Sequence, residues 1–443
     1  DVTETALPSS QCRAKVCGPA VKIFNSVYIL PMTGLLLLAL FTIAFTMLAK
    51  RLATTMVTAP MLFMALGYLL STTGTMPQAG TEEVLHIVAE IALIVLLFLD
   101  AAQINLTTLR RHHVWPQRML TAGLPLSIAI GTLAAWPFLP GWPLLGIALV
   151  AAILTPTDAA LGQAVVTNPV VPERERRTLS VESGLNDGLA LPAILLFASL
   201  AMSVADQSST EWLVFGAKQL IFGPLVGGVV GLIGGKLLIW AKDHDTTSDT
   251  FEGIGALALA GAAYLGATAI DGNGFISAFV AGLTFGHVVM GRCKFVYEFT
   301  ESEGQLLSWS AFFLLGLALV PEAISGLTWP VFALIMISLF IVRPLAVYLS
   351  LLGTDARPGT RLFFGWFGPR GLATALFALL VVPDIDPALS GPVLNIAINT
   401  VWISALLHGL SAAPGAALYA RLVAKQQTGT GHGTPENPPS DQN

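Results

Sequence analysis

The sequence predicts an all-α polytopic membrane protein, and three observations carry that prediction. Of its 443 residues 54% are hydrophobic and only 11% charged, with a mean hydropathy of +0.73, whereas a soluble domain has about a quarter charged residues. Apolar stretches of about 20 residues, enough to cross a hydrocarbon core of roughly 30 Å, recur thirteen times along the chain. Two of them are interrupted by proline and glycine beside a charge, which lipid tolerates only where protein or a water-filled cavity satisfies the freed backbone.

Taken in order, spans one to six cover about 27–48, 54–74, 83–108, 117–139, 143–166 and 174–203. Span seven covers about 211–241, and spans eight to thirteen about 250–270, 273–290, 304–320, 328–352, 359–382 and 390–419. Basic residues collect around the end of every odd span: Lys50 and Arg51; Arg110, Arg111 and Arg118; Arg174, Arg176 and Arg177; Lys236 and Lys242; Arg292 and Lys294; Arg357 and Arg361; Arg421 and Lys425. These are sixteen of the 22 Lys and Arg residues, and cytoplasmic loops are the ones enriched in such charge. The bias places the C-terminus in the cytoplasm and the N-terminus outside, in a plasma or inner membrane. Arg13, Lys15 and Lys22 run against it. Residues 1–26 read as an extracytoplasmic leader without a signal-peptide core, in which Cys12 and Cys17 either pair or are incidental. The composition of 426–443 predicts a disordered cytoplasmic tail.

The interruptions locate the site. In span five Pro156 removes a backbone donor and disfavours helix at Thr155, and Thr157 and Asp158 follow. In span twelve Gly365, Gly368, Pro369 and Gly371 surround Arg370. Each break falls in the fifth helix of a six-span half, 27–203 and 250–420, with 211–241 as the linking helix. An odd connector gives the two repeats inverted topology, and matched broken spans point to a transporter binding site at the midplane. Two ordinary kinked helices are the alternative, since Pro and Gly are common in spans; matched positions, each with a charge, argue against it.

Asp187 lies ten residues beyond Arg177, roughly 15 Å into the bilayer. An acid there is costly and reads as part of an ion pathway or proton relay. Glu182, Ser183, Asn186 and Asp187 fall within an arc of roughly 140° on one helix, and oxygen ligands of this kind suit small hard cations. Asp158 and Thr157 can face them, and Asp158 also offsets the positive end of a half-helix. Arg370 plays the mirror role at the negative ends. Arg343, in span eleven, needs a partner, and Glu182 is the best available. Asp100, deep in span three, is a further ligand candidate; Glu90 lines either the mouth of the pathway or the lipid interface.

Other chemistry is excluded or weak. His112 and His113 sit in a basic loop, and His86, His287 and His408 lie near helix ends or packing faces without a Cys or His partner. Gly227, Gly228, Gly231, Gly234 and Gly235 read as close helix packing. No glycine-rich phosphate loop is present, no nucleophile stands near a base, and a net charge of −5 carries no nucleic-acid signal. The chain calls for no cofactor and reads as a transporter, not an enzyme.

Thr155-Pro156-Thr157-Asp158, Val171-Pro172-Glu173-Arg174 and Glu182-Ser183-Gly184-Leu185-Asn186-Asp187 resemble the monovalent cation:proton antiporters, in the NhaP-like branch with an Asn-Asp pair. Residues 272–282 and Gly365-Trp366-Phe367-Gly368-Pro369-Arg370-Gly371 extend the resemblance over roughly 27–420; Ala159 departs from it, standing where many relatives have Pro. The resemblance implies the sodium/proton antiporter fold with crossed discontinuous helices, a core domain, a dimerisation domain and a homodimer moving in elevator fashion. It implies that Asp187 takes cation and proton in turn, helped by Asp158, Thr157, Ser183 and Asp100, while Glu182 pairs with Arg343. Asn186, where a sister branch has Asp, implies electroneutral exchange of one proton per Na⁺, with Li⁺ or K⁺ as alternatives.

Burial disfavours a bare carboxylate, so Asp187 should cross the barrier only when loaded with a cation or a proton. A sodium-coupled symporter of organic solutes and a cation channel are the competing expectations.

Overall fold

With no water to bond the backbone, a lipid-embedded segment satisfies its own N–H and C=O groups, and helix is the local solution. The computed structural model describes residues 32–52, 55–76, 81–104, 114–202, 209–290, 292 and 294–429, and among them regular structure is helical throughout. The helices are α1 (Met32–Leu52), α2 (Ala59–Thr72), α3 (Thr81–Ala102), α4 (Val114–Phe138), α5 (Leu144–Ile153), α6 (Ala159–Val166), α7 (Glu173–Met202) and α8 (Ser209–Asp243). Then come α9 (Asp249–Thr268), α10 (Gly274–Val289), α11 (Lys294–Ala318), α12 (Val320–Ser325), α13 (Trp329–Ser350), α14 (Pro358–Trp366), α15 (Leu372–Val381) and α16 (Pro387–Gly429). Eight of the described helices are long and apolar enough to cross a membrane, and five shorter ones are apolar. Within the described residues, each predicted apolar stretch overlaps a helix or, for the two interrupted stretches, the pairs α5–α6 and α14–α15.

Helix α16 runs on to Gly429, beyond the predicted end of span thirteen, so 426–429 is helical where a disordered tail was expected. The leader with Cys12 and Cys17, Cys293, and residues 430–443 lie outside the described residues.

Helix α2 packs on α11, α10 on α3, α8 and α9, α5 on α4 and α7, α13 on α4 and α14, and α16 on α6 and α15. Small residues let backbones approach: a Cβ at Gly227 or Gly231 of α8 would overlap the carbonyls of Ser277 and Ala281 on α10. Gly228, expected in the same interface, instead has open space beside it. Both α4 and α13 contain a five-residue π-helical turn, Met119–Gly123 and Ser338–Val342, and the second delivers Arg343 into the interior. Such turns gather at functional sites.

Candidate functional site

Helix α5 stops at Ile153 because Pro156 cannot continue the ladder, and Asp158 opens α6 as its cap, Oδ1 accepting from the Leu161 N–H at 3.0 Å. The second break, between Trp366 and Leu372, touches the first. The Asp158 N–H donates to the Pro369 carbonyl at 2.8 Å, and Asp158 Oδ2 accepts from the Leu372 N–H at 2.6 Å. One carboxylate therefore caps two half-helix N-termini, where negative charge is favoured. Glycine is required opposite it: a Cβ on Gly371 would overlap the Asp158 carboxylate.

Arg370 does the reverse. Its Nη1 donates to the carbonyls of Thr155 at 3.0 Å and Pro156 at 3.4 Å, past the end of α5, and to that of Gly368 at 3.4 Å, past the end of α14. The side chain is buried, and its charge meets the negative ends of two half-helices.

Helix α7 supplies the second part. Arg343 grips Glu182 through two parallel bonds of 3.1 Å, Nη1 to Oε1 and Nη2 to Oε2, with both side chains 5% exposed. Thr157 Oγ1 donates to Glu182 Oε2 at 3.3 Å and meets Ser183 Oγ at 3.2 Å. Asn186 Nδ2 donates to Thr157 Oγ1 and to Glu182 Oε1. Glu182, Arg343, Thr157, Ser183 and Asn186 thus form one buried network that fastens the first break to α7.

The remaining carboxylates are differently placed. Asp187 feels the charges of Asp158, Asp100 and Glu182, and Asp100 that of Asp158, so the four acids share one electrostatic neighbourhood. Asp187 Oδ1 is buried and, among the described residues, has no hydrogen-bond partner. Neither Asp187 nor Asp100 is in a salt bridge there, whereas Glu182 has Arg343 and Asp158 has two helix N-termini. Among the described residues no three His, Cys, Asp or Glu side chains converge as a metal cage. The acids are near one another without closing on a common point.

Glu90 stands apart, on an exposed face of α3 ten residues before Asp100, accepting from Tyr264 of α9 at 2.5 Å. His408, expected near a helix end or a packing face, is 3% exposed, and its ring nitrogens approach Ser404 and the Trp366 carbonyl beside the second break. Its four-residue spacing from Ser404 on one helix was the available signal.

Two broken helices whose interruptions touch, with a carboxylate at the half-helix N-termini, a guanidinium past the half-helix C-termini and further acids alongside, mark a polytopic membrane protein with a charged interior. The sodium/hydrogen exchanger transmembrane family model matches residues 36–417, and the chain belongs to that family of cation/proton antiporters. It is 29% identical over 345 residues to the K(+)/H(+) antiporter NhaP of Alkalimonas amylolytica, covering 76% of this chain and 58% of that protein. It is 32% identical over 342 residues to the K(+)/H(+) antiporter NhaP2 of Shewanella oneidensis, covering 75% of this chain and 57% of that one. The match thus spans less than two thirds of either relative. The structure of the sodium proton antiporter MjNhaP1 from Methanocaldococcus jannaschii superposes with a TM-score of 0.74 at 21% identity, over 88% of this chain and 99% of that one. The fold is shared with that protein.

Proposed function

We propose that this chain exchanges a monovalent cation for a proton by alternating access, with Asp187 holding the two in turn. The observation that carries the reading is Asp187 itself: a buried carboxylate oxygen with no hydrogen-bond partner among the described residues, beside Glu182, which is paired with Arg343, and Asp158, which caps two half-helices. A bare anion there is costly, and a proton or a cation neutralises it equally well. Loading with one excludes the other, which couples the two fluxes without a further device.

Asp158, Thr157, Ser183 and Asp100 complete the cation site, and Glu182, Arg343, Arg370 and Asn186 hold its frame. The ion is K⁺ or Na⁺, with Li⁺ as an analogue: the curated relatives are named for K⁺, and Na⁺ was the expectation from the motif. Asn186 in place of a second acid supports one proton per cation. Thirteen crossings, two inverted six-helix repeats joined by α8, a homodimer, an external N-terminus and a cytoplasmic C-terminus in the cell membrane belong to the same reading.

The test is reconstitution in liposomes with a pH dye inside. Addition of K⁺, Na⁺ or Li⁺ should move internal pH, and Asp187→Asn should abolish the response while remaining a monodisperse folded protein. Cation-driven proton movement persisting in that variant removes Asp187 from the mechanism.

A further inference from the structure

We propose that Ser404 and His408 of α16 form a side-chain splint for the second broken helix, relaying between Arg370 and Trp366 the hydrogen bond an unbroken helix would make directly. In a continuous α-helix the N–H of residue 370 would donate to the carbonyl of residue 366. Here the Arg370 N–H donates instead to Ser404 Oγ at 2.6 Å. Ser404 Oγ lies 3.1 Å from His408 Nδ1, and His408 Nε2 lies 2.9 Å from the Trp366 carbonyl. The two ends of the missing bond are thus joined through two side chains.

The relay takes the tautomer with the imidazole proton on Nε2, which donates to the Trp366 carbonyl. Nδ1 then accepts the Ser404 hydroxyl proton, while the oxygen of that hydroxyl accepts from Arg370. Nδ1 is also 2.9 Å from the Ser404 carbonyl; a proton on Nδ1 would serve that carbonyl instead and break the relay at Trp366, so the splint and the Nε2 tautomer stand or fall together. Ser404, His408 and Arg370 are 0%, 3% and 1% exposed, so bulk water cannot take over the relay. Stacking of the His408 ring on Trp366 at 4.9 Å, and a 3.0 Å bond from Trp366 Nε1 to Ser411 Oγ, pin the end of α14 to the same helix.

The splint bears on the ion site because of what flanks it. Arg370 sends its guanidinium to the α5 carbonyls, and Leu372, two residues on, gives its N–H to Asp158. Ser404 and His408 are therefore positioning residues that touch no ion.

Amide hydrogen exchange of the 366–372 segment tests the splint, together with cation-driven proton flux, which rests on the exchange activity proposed above. Ser404→Ala and His408→Leu should each speed amide exchange in that segment about tenfold, the worth of one buried hydrogen bond, and lower the maximal flux. His408→Gln, whose amide can accept and donate in the same two directions, should retain protection and most of the flux. If His408→Leu does not fold, the comparison of Ser404→Ala with His408→Gln stands alone. Wild-type protection in Ser404→Ala, or His408→Gln no better protected than His408→Leu, overturns the splint. The expected protection pattern in a protein that moves no protons would instead count against the exchange reading.

Discussion

Asp158 shows how much one side chain settles. Its two oxygens take first-turn N–H groups of two half-helices some 200 residues apart in the chain, and the approach needs a hydrogen atom where Gly371 has no side chain. Gly371→Ala should therefore push the two breaks apart. A charge-assisted bond is worth about 1.5–3 kcal/mol, and overpacking costs about 1–3 kcal/mol, so the thermal midpoint in detergent should fall by several degrees and exchange should be lost. Gly162→Ala in α6, where a Cβ meets nothing within 4 Å, is the matched control and should leave the midpoint unchanged or higher. Equal behaviour of the two variants would show that the overlap is relieved elsewhere.

Between elements, the Glu182–Arg343 pair joins α7 to α13 at the depth of the breaks. Removing one partner of a buried pair leaves an uncompensated charge and costs about 3–5 kcal/mol, while replacing both with apolar or neutral groups is often tolerated. Arg343→Met alone should destabilise strongly in a thermal assay, and Glu182→Gln with Arg343→Met should recover most of the loss. Recovery would identify the pair as a fastener; failure to recover would assign it a further role in the Thr157–Asn186 network. Glycine stripes work at the same scale. A Cβ at Gly282 or Gly286 of α10 would overlap the carbonyls of Phe98 and Ala102, which flank Asp100 on α3.

Across the whole molecule, side chains tie together the helix ends that bear Arg174 and Arg357. Arg174 bonds Asp355 at 2.6 and 3.1 Å while lying over the Trp115 ring, and Trp115 Nε1 bonds Asp355 at 2.7 Å. This joins α4, α7 and the loop before α14. Tyr419 of α16 adds Glu175 and Thr360 at 2.8 Å each. The hydrogen bond from Arg174, helped by that from Trp115, holds the Asp355 carboxyl below the usual carboxylate range. A depressed value in the folded state means that the stabilisation is present above the unfolded value of about 3.9 and is lost as pH falls through the folded one. Asp355→Asn should therefore be less stable than wild type at neutral pH, by no more than about 1 kcal/mol for so exposed a pair. The difference should begin to shrink as pH falls below about 4 and go on shrinking through the folded value; thermal melts from pH 7 to 3 check it, and a constant difference contradicts it.

The helices, the two breaks and the acidic residues of α7 were legible in the sequence because each rests on local chemistry: hydropathy over about 20 residues, proline's missing donor and a four-residue helical period. The same chemistry misjudged the end of α16, where helix continues through polar residues, and the setting of Gly228, because spacing does not say what lies opposite. Nor could it show that His408 spans a break 38 residues upstream, since a helix face acquires meaning only from the element packed against it. By itself the sequence determined an all-helical membrane protein with charges beside two interruptions. Only the tertiary structure decided that the interruptions touch, that Asp158 and Arg370 serve both half-helix pairs, and that Asp187 keeps a buried oxygen without a protein partner among the described residues. Capping and pairing are settled by distances of about 3 Å between segments some 200 residues apart in the chain, and no local pattern encodes them.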